Sequence, residues 1–423
     1  MPCICRLFHG VWILTFATLV FASLAKADVG ERPRPRLAFL DDYNVPTDTP
    51  FDLIGSGTKP ANRAKQDAHK TRSIDDILSS KASGRFGGIS AIAYDKSSGR
   101  LFALSDTTSP VLFAFRLSLR EETIELTPQR RIPLTDERGN PFTQWSMDPE
   151  GFALSPRGTL LIASEGFAAG IPYAGVKPTN PALYELDRGG RLLKSIALPP
   201  KVLGLADSKV GTHRNSGLES LTVSPSGNRV FLAAEGSLKQ DGPPPDLQNG
   251  SKIRIFEFTI SANSLTSRNE YLYEMEAPPT PGGFRNPRGG RGLTELLALG
   301  DRELLALERS FVKESGGSPG TQRSEQRVEI YHVDLHSASD VSHAISLRKT
   351  GKNVYRLADK TLILDLRDII PELDVNFQSL DNFEGMCLGP QLEDGSQTVI
   401  LVSDNNFNPV QRTVFLAFKL TME

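Results

Sequence analysis

Cysteine, histidine and helix-forming runs are all scarce in this chain of 423 residues, and each scarcity closes off a class of protein. Cysteine occurs only at Cys3, Cys5 and Cys387. The six histidines include no H-E-x-x-H or comparable zinc spacing. A G-x-S-x-G elbow and a P-loop are both missing, so serine-hydrolase and nucleotide-binding readings lack their usual support. Charge is nearly balanced, with 48 Lys and Arg against 50 Asp and Glu. That leaves no basic footprint for nucleic acid.

Long apolar runs are missing as well, except at the start. Val11 to Leu24 is an apolar stretch of about 14 residues, short of the roughly 20 that span a bilayer. Arg6 precedes it, and Ala25-Lys26-Ala27 follows in the A-x-A pattern of a secretory cleavage site. Residues 1–27 are therefore expected to be a signal peptide. The rival reading is an uncleaved N-terminal anchor. Cleavage before Asp28 predicts a secreted or periplasmic monomer with no stable membrane insertion. Removing 27 of 423 residues leaves 396, with Cys387 as the one remaining cysteine. No intramolecular disulfide can then form, and stability must come from burial. The loss of Arg6 and Lys26 also takes the net charge from −2 to −4.

What remains is strand-like. Short runs of Val, Ile, Leu and Phe are cut by Gly, Pro, Asn and Asp. A helical fragment, Ser73 to Ser80, lies in a polar insertion over residues 58–85 that is expected to form a surface loop. The rest repeats. The copies read GISAIAYDKSSGRLFALSD from Gly88, PEGFALSPRGTLLIASE from Pro149, GLESLTVSPSGNRVFLAAE from Gly217, GLTELLALGDRELLALE from Gly292, and FEGMCLGPQLEDGSQTVILVSD from Phe383. Each is a strand, a polar turn and a second strand, which is a hairpin signal. A third strand follows every copy and a fourth follows most. Four antiparallel strands per repeat predict an all-β fold, a β-propeller over residues 28–423. Five blades are visible, and a sixth would have to hide between Glu308 and Glu384. The last copy lacks its outer strand, which Leu37 to Val45 could supply.

Two columns of the repeat are polar beyond what strands require. The first holds Ser90, Glu150, Glu219, Thr294 and Glu384; Glu295 lies one residue beyond it and should face the other way. The second holds Asp106, Glu165, Glu235, Glu308 and Asp404, all acids. Equivalent positions converge near a propeller's axis, so these carboxylates would repel one another unless a cation compensates. Hard oxygen donors suit calcium (Ca²⁺) first and Mg²⁺ second. The same column reads equally well as a set of inter-blade staples that accept backbone N–H bonds. Arg309, next to Glu308, and His213 and Arg214, upstream of Glu219, are candidates to meet an anion.

At these residues the chain resembles the phytase-like ("esterase-like activity of phytase") family of exported proteins. The matching stretches are GGISAIAYDKSSGRLFALSD, DPEGFALSPRGTLLIASEG, NSGLESLTVSPSGNRVFLAAEG, RGLTELLALGDRELLALERSF and NFEGMCLGPQLEDGSQTVILVSDNNF. The resemblance implies phosphoesterase-type activity carried by repeated acids, here Asp106, Glu150, Glu165, Glu219, Glu235, Glu308, Glu384 and Asp404. Calcium-dependent phytases are themselves propellers, so the resemblance implies that fold as well. The expected function is a metal-dependent phosphoesterase acting on a phosphorylated small molecule, with Glu308, Arg309, His213 and Arg214 as catalytic candidates. A non-catalytic ligand- or protein-binding propeller and a lactonase-type hydrolase are the alternatives.

Overall fold

Apolar runs too short for helices pair as antiparallel strands wherever a tight turn joins them. The computed structural model describes residues 33–423 apart from 48, 56–84, 108, 143–145, 167–177, 206–207, 263, 317–322, 350–353 and 376–377. The expected signal peptide and the helical fragment at Ser73 to Ser80 lie outside the described residues. None of the described helices is long and apolar enough to cross a membrane.

Strand β1 is Pro35–Pro46. Blade 1 follows as β2 (Ile89–Asp95), β3 (Arg100–Ser105), β4 (Val111–Arg120) and β5 (Thr123–Pro133). Blade 2 is β6 (Pro149–Leu154), β7 (Leu160–Ser164), β8 (Ala182–Leu186) and β9 (Leu192–Ile196). Blade 3 is β10 (Leu218–Val223), β11 (Arg229–Ala234), β12 (Ser251–Ile260) and β13 (Leu265–Met275). Blade 4 is β14 (Arg288–Ala298), β15 (Glu303–Lys313), β16 (Ser324–Asp334) and β17 (Asp359–Asp365). Blade 5 is β18 (Asn382–Leu388), β19 (Gln397–Asp404) and β20 (Arg412–Met422), completed by β1 in the order β1-β20-β19-β18. The fold is thus a five-bladed β-propeller. Among the described residues, the stretch between Glu308 and Glu384 holds the end of β15, β16, β17, two short 3-10 helices and the start of β18 rather than a sixth blade.

Gly at positive φ closes the first hairpin of blades 1, 2, 3 and 5, as at Gly158 (φ 80°) and Gly227 (φ 73°), a left-handed backbone that other residues rarely adopt. Apolar layers then hold neighbouring blades together. Phe102, Leu104 and Leu112 of blade 1 pack with Phe152, Leu160 and Ile162 of blade 2. At the closing seam, Phe51 and Phe86 meet Phe113 with ring centroids 5.0 and 5.1 Å apart. The ring is shut by β1, which runs antiparallel to β20 from Pro35 opposite Met422 to Pro46 opposite Arg412.

Two departures from the repeated pattern position the site. In every blade the pairing of the first two strands skips one residue of the first strand. The skipped residues are Ser90, Glu150, Glu219, Thr294 and Glu384. These are β-bulges, which bend the strand and re-aim the extra side chain. The second departure is in blade 4. There β14 and β15 each have 11 residues, and their ladder continues past Gly292–Arg309 through Phe311 opposite Gly290 to Lys313 opposite Arg288. β16 pairs along the same stretch, so blade 4 carries a three-stranded tongue above the rim.

Candidate functional site

Four of the five bulges point the first polar column at one mouth of the central channel. Bulge residues Ser90, Glu150, Glu219 and Glu384 line a cavity of about 370 Å³ there. Thr294 does not line it; its hydroxyl lies 3.3 Å from the Leu307 carbonyl and 3.4 Å from that of Phe383. Glu295 faces elsewhere, as alternation requires, and accepts the Leu221 N–H at 3.1 Å.

The second column needs one correction. The residue before each bulge pairs with Ser105, Ser164, Ala234, Glu308 and Ser403. The next residue along the second strand turns into the channel, giving Asp106, Glu165, Glu235, Arg309 and Asp404, all of which line the cavity. In blade 4 the column position therefore belongs to Arg309. Glu308 lies on the opposite face of β15 because successive side chains alternate. There it is fully buried, and its carboxylate accepts from Arg291, Tyr273 and Lys360, the last at 2.6 Å. Arg291 also reaches Glu329 at 2.6 Å and the Tyr331 hydroxyl at 2.8 Å. This network joins β13 of blade 3 to β14–β17 of blade 4. Glu308 is an inter-blade staple, away from the channel.

His213 and Arg214 are also displaced from their expected place. The His213 Nε2 sits 2.8 Å from the Gly242 carbonyl, and Arg214 is exposed; neither lines the cavity. Their neighbour Asn215, held at φ 52°, does line it, as does Asn406 at φ 46°. Asn tolerates the left-handed region better than most residues.

Arg309 is the one cation among the described residues that line the cavity. Its Nη1 lies 2.6 Å from Glu384 and its Nη2 3.5 Å from Glu235, so it ties blade 4 to both neighbours. Burial works against its charge, but Glu384 and Glu235 more than offset that and hold the guanidinium above its usual range. The carboxylates are crowded. Burial, then Glu219, Asp148, Asp106 and Glu384, push Glu150 well above the ordinary carboxyl range. Glu219 is raised by burial, then Glu235, Glu165 and Glu384. Glu165 is raised to about 8 by burial, then by Asp148 and Glu235, against the N–H it accepts from Gly217 at 3.2 Å. Close approach is part of this design. A Cβ on Gly217 would fall 2.2 Å from the Glu165 side chain, and one on Gly292 would fall 2.1 Å from that of Glu235. Each carboxylate thus occupies the space where the next blade has no side chain.

On blade 2 the position equivalent to those glycines holds Asp148. Oxygen atoms of Asp148, Glu150 and Glu165 all lie within 4.8 Å of one another. Three hard oxygen donors at that spacing fit a divalent cation such as calcium. Asp148 was visible in the sequence as the residue two before Glu150, on the same face by alternation.

A pH dependence follows. The folded-state pKa of Glu165 lies above its ordinary 4.5, so the folded chain binds the extra proton between these values. The resulting stability is fully present below about pH 4.5 and is lost as pH rises through about 8. Metal-free protein should melt at a lower temperature at pH 8.5 than at pH 5.5. Added calcium should recover most at the upper end. A metal-free melting temperature that stays flat or rises across this range would show that the ring is compensated from within.

A secreted protein of Arthroderma benhamiae, itself described as uncharacterized, is 24% identical over 248 residues, covering 56% of this chain and 44% of that protein. The chain therefore spans less than half of that relative's length. Among solved structures, the catalytic domain of Coprinopsis cinerea GH62 α-L-arabinofuranosidase is 12% identical, with a TM-score of 0.34, covering 80% of this chain and 92% of that one. The Cps50 (Swd1) β-propeller domain of Myceliophteria thermophila is 10% identical, with a TM-score of 0.30, covering 80% of this chain and 98% of that one. The sequence model of the phytase-like family, described as esterase-like activity of phytase, matches residues 84–407, which include every lining residue of the channel mouth. The chain belongs to the phytase-like family.

Proposed function

We propose that this protein is an exported, metal-dependent phosphoesterase that acts on a phosphorylated small molecule at the acid-lined mouth of the propeller. The observation that carries the reading is the pairing of two unlike halves in one cavity. Glu150 and Glu165 of the lining form a cluster of oxygen donors with Asp148, and Arg309, also in the lining, supplies a fixed positive charge. When bound, a divalent cation supplies Lewis-acid polarisation of a phosphoryl group and an acidified water. Asp148, Glu150 and Glu165 would hold it, with Asp106, Glu219 and Asp404 around the same mouth. Arg309 would donate to the phosphoryl oxygens and offset charge that develops on them. Its ion pairs to Glu235 and Glu384 fix the guanidinium before substrate arrives, so little ordering remains to be done on binding. The family and the fold both fit a hydrolase. The secreted relative and the A-x-A segment support export.

The test combines metal analysis, melting and turnover on the purified full chain. Chelation should lower the melting temperature and calcium restore it, since a ligand at one hundred times its Kd adds about 2.7 kcal/mol. Asp148→Asn and Glu150→Gln should weaken that response. Arg309→Ala should keep it yet reduce calcium-dependent hydrolysis of simple phosphomonoesters by about 10²-fold, the usual cost of losing a charge-stabilising donor. A protein that carries no metal and melts identically in EDTA and calcium would sink this reading. The acid ring would then serve a non-catalytic, ligand-binding propeller. Calcium-dependent cleavage of lactones without phosphoesters would point to the lactonase chemistry instead.

A further inference from the structure

Resting on that phosphoesterase reading, we infer that Phe311 is the subsite for the organic part of the substrate, and that this part is a flat, aromatic ring. Among the described residues that line the cavity, Phe311 alone is apolar and the rest are polar or charged. Its side chain is 45% exposed, which is unusual for a Phe on a central strand of a sheet. The exposure has a structural cause. Phe311 lies two residues past Arg309 on β15, on the same face, and stands on the tongue that, among the described residues, blade 4 alone raises above the rim with its two inner strands. Its cross-strand partner is Gly290, just as that of Arg309 is Gly292. Neither glycine offers a side chain that could cover its partner, so ring and guanidinium both face the cavity.

The tongue is a fixed support for the ring. β16 pairs along it as a third strand. The proline-rich segment after Gly242 packs on its other edge: a Cβ on Gly289 would lie 3.1 Å from Leu247, and one on Gly290 4.0 Å from the Pro245 carbonyl. A preformed aromatic face beside a charged anchor binds best a ligand with the same layout. The anion would sit at Arg309 and the acid cluster, and a planar ring would lie against Phe311, where offset stacking favours another aromatic. A small alkyl phosphate would reach the anchor but leave the ring uncovered.

Phosphonates separate this inference from the reading beneath it, because they bind without being hydrolysed. Calorimetric titration of the full chain in calcium should show phenylphosphonate binding about tenfold more tightly than methylphosphonate. Phe311→Ala should remove that preference while leaving methylphosphonate affinity within about twofold, and Phe311→Trp should keep it. Because Phe311 is exposed, the alanine variant is expected to melt like the parent. Equal affinity for the two phosphonates, unchanged in Phe311→Ala, would overturn the subsite and leave the phosphoesterase reading standing. Binding of neither phosphonate in calcium would overturn both.

Discussion

Deleting residues 28–46 should cost on the order of 5 kcal/mol and turn the protein into an associating species. The deletion removes all of β1, whose Val45 is buried and whose Leu37, Phe39, Leu40 and Tyr43 pack against core clusters at the seam. A buried apolar side chain contributes about 1.5–3 kcal/mol, and the half-buried ones contribute less. That sum is a large share of the roughly 5–15 kcal/mol that holds an ordinary domain together. The second consequence is geometric. β20 would lose its partner from Pro35 to Pro46 and expose a strand edge with the sequence TVFLAF. Apolar open edges recruit further strands. Urea denaturation should show a lower midpoint, and size-exclusion chromatography should show oligomers that grow with concentration. A truncated protein that melts and elutes like the parent would mean that β1 is not what closes the ring.

Glu308→Gln should cost about 3 kcal/mol and leave the calcium response untouched. Breaking a buried ion pair strands the partner charges, typically at about 3–5 kcal/mol. The lower end applies here because Arg291 keeps Glu329 and Lys360 keeps Glu276. The neighbouring substitution, Arg309→Ala, also strands buried partners, Glu235 and Glu384, but adds a large loss of turnover that Glu308→Gln does not share. Two adjacent residues on one strand would thus separate structure from function. Melting curves paired with turnover assays read the difference. A Glu308→Gln protein of normal stability that no longer responds to calcium would put its carboxylate back in the channel.

That contrast also marks how far the sequence could be read. The propeller was legible because the hairpin repeats five times with a turn glycine in most copies, and closure was legible because the last copy lacked an outer strand. The bulge column was legible too, since all five of its members carry a side-chain oxygen. The second column slipped by one residue in blade 4. In blades 1, 2, 3 and 5 the column residue lies at the end of its strand, where a turn or loop marks it. β15 runs on through Arg309 and Phe311 to Lys313, so no boundary marks the position, and LALE imitates the LAAE of blade 3. Register across a bulge is set by hydrogen bonds with the partner strand, which a single sequence does not display. His213 and Arg214 were drawn in by closeness along the chain to Glu219, but a local bridge between His213 and Ser216 turns them away from the cavity. Asn215, Asn406 and Phe311 had no signal of their own, because their role depends on what the ring brings beside them.

The backbone of the mouth repeats five times, but its charge does not. Arg309 stands on blade 4, while the densest acid cluster, Asp148, Glu150 and Glu165, stands on blade 2, which is not adjacent to it. A uniform ring of carboxylates would attract a cation along the axis and treat every direction across the opening alike. With one guanidinium in the ring, the opening acquires a transverse dipole that lies in the plane of the mouth. A molecule with separated charges would feel a torque as it approached and rotate into alignment before touching any side chain. A single residue on a symmetric scaffold thereby gives the entrance a compass direction.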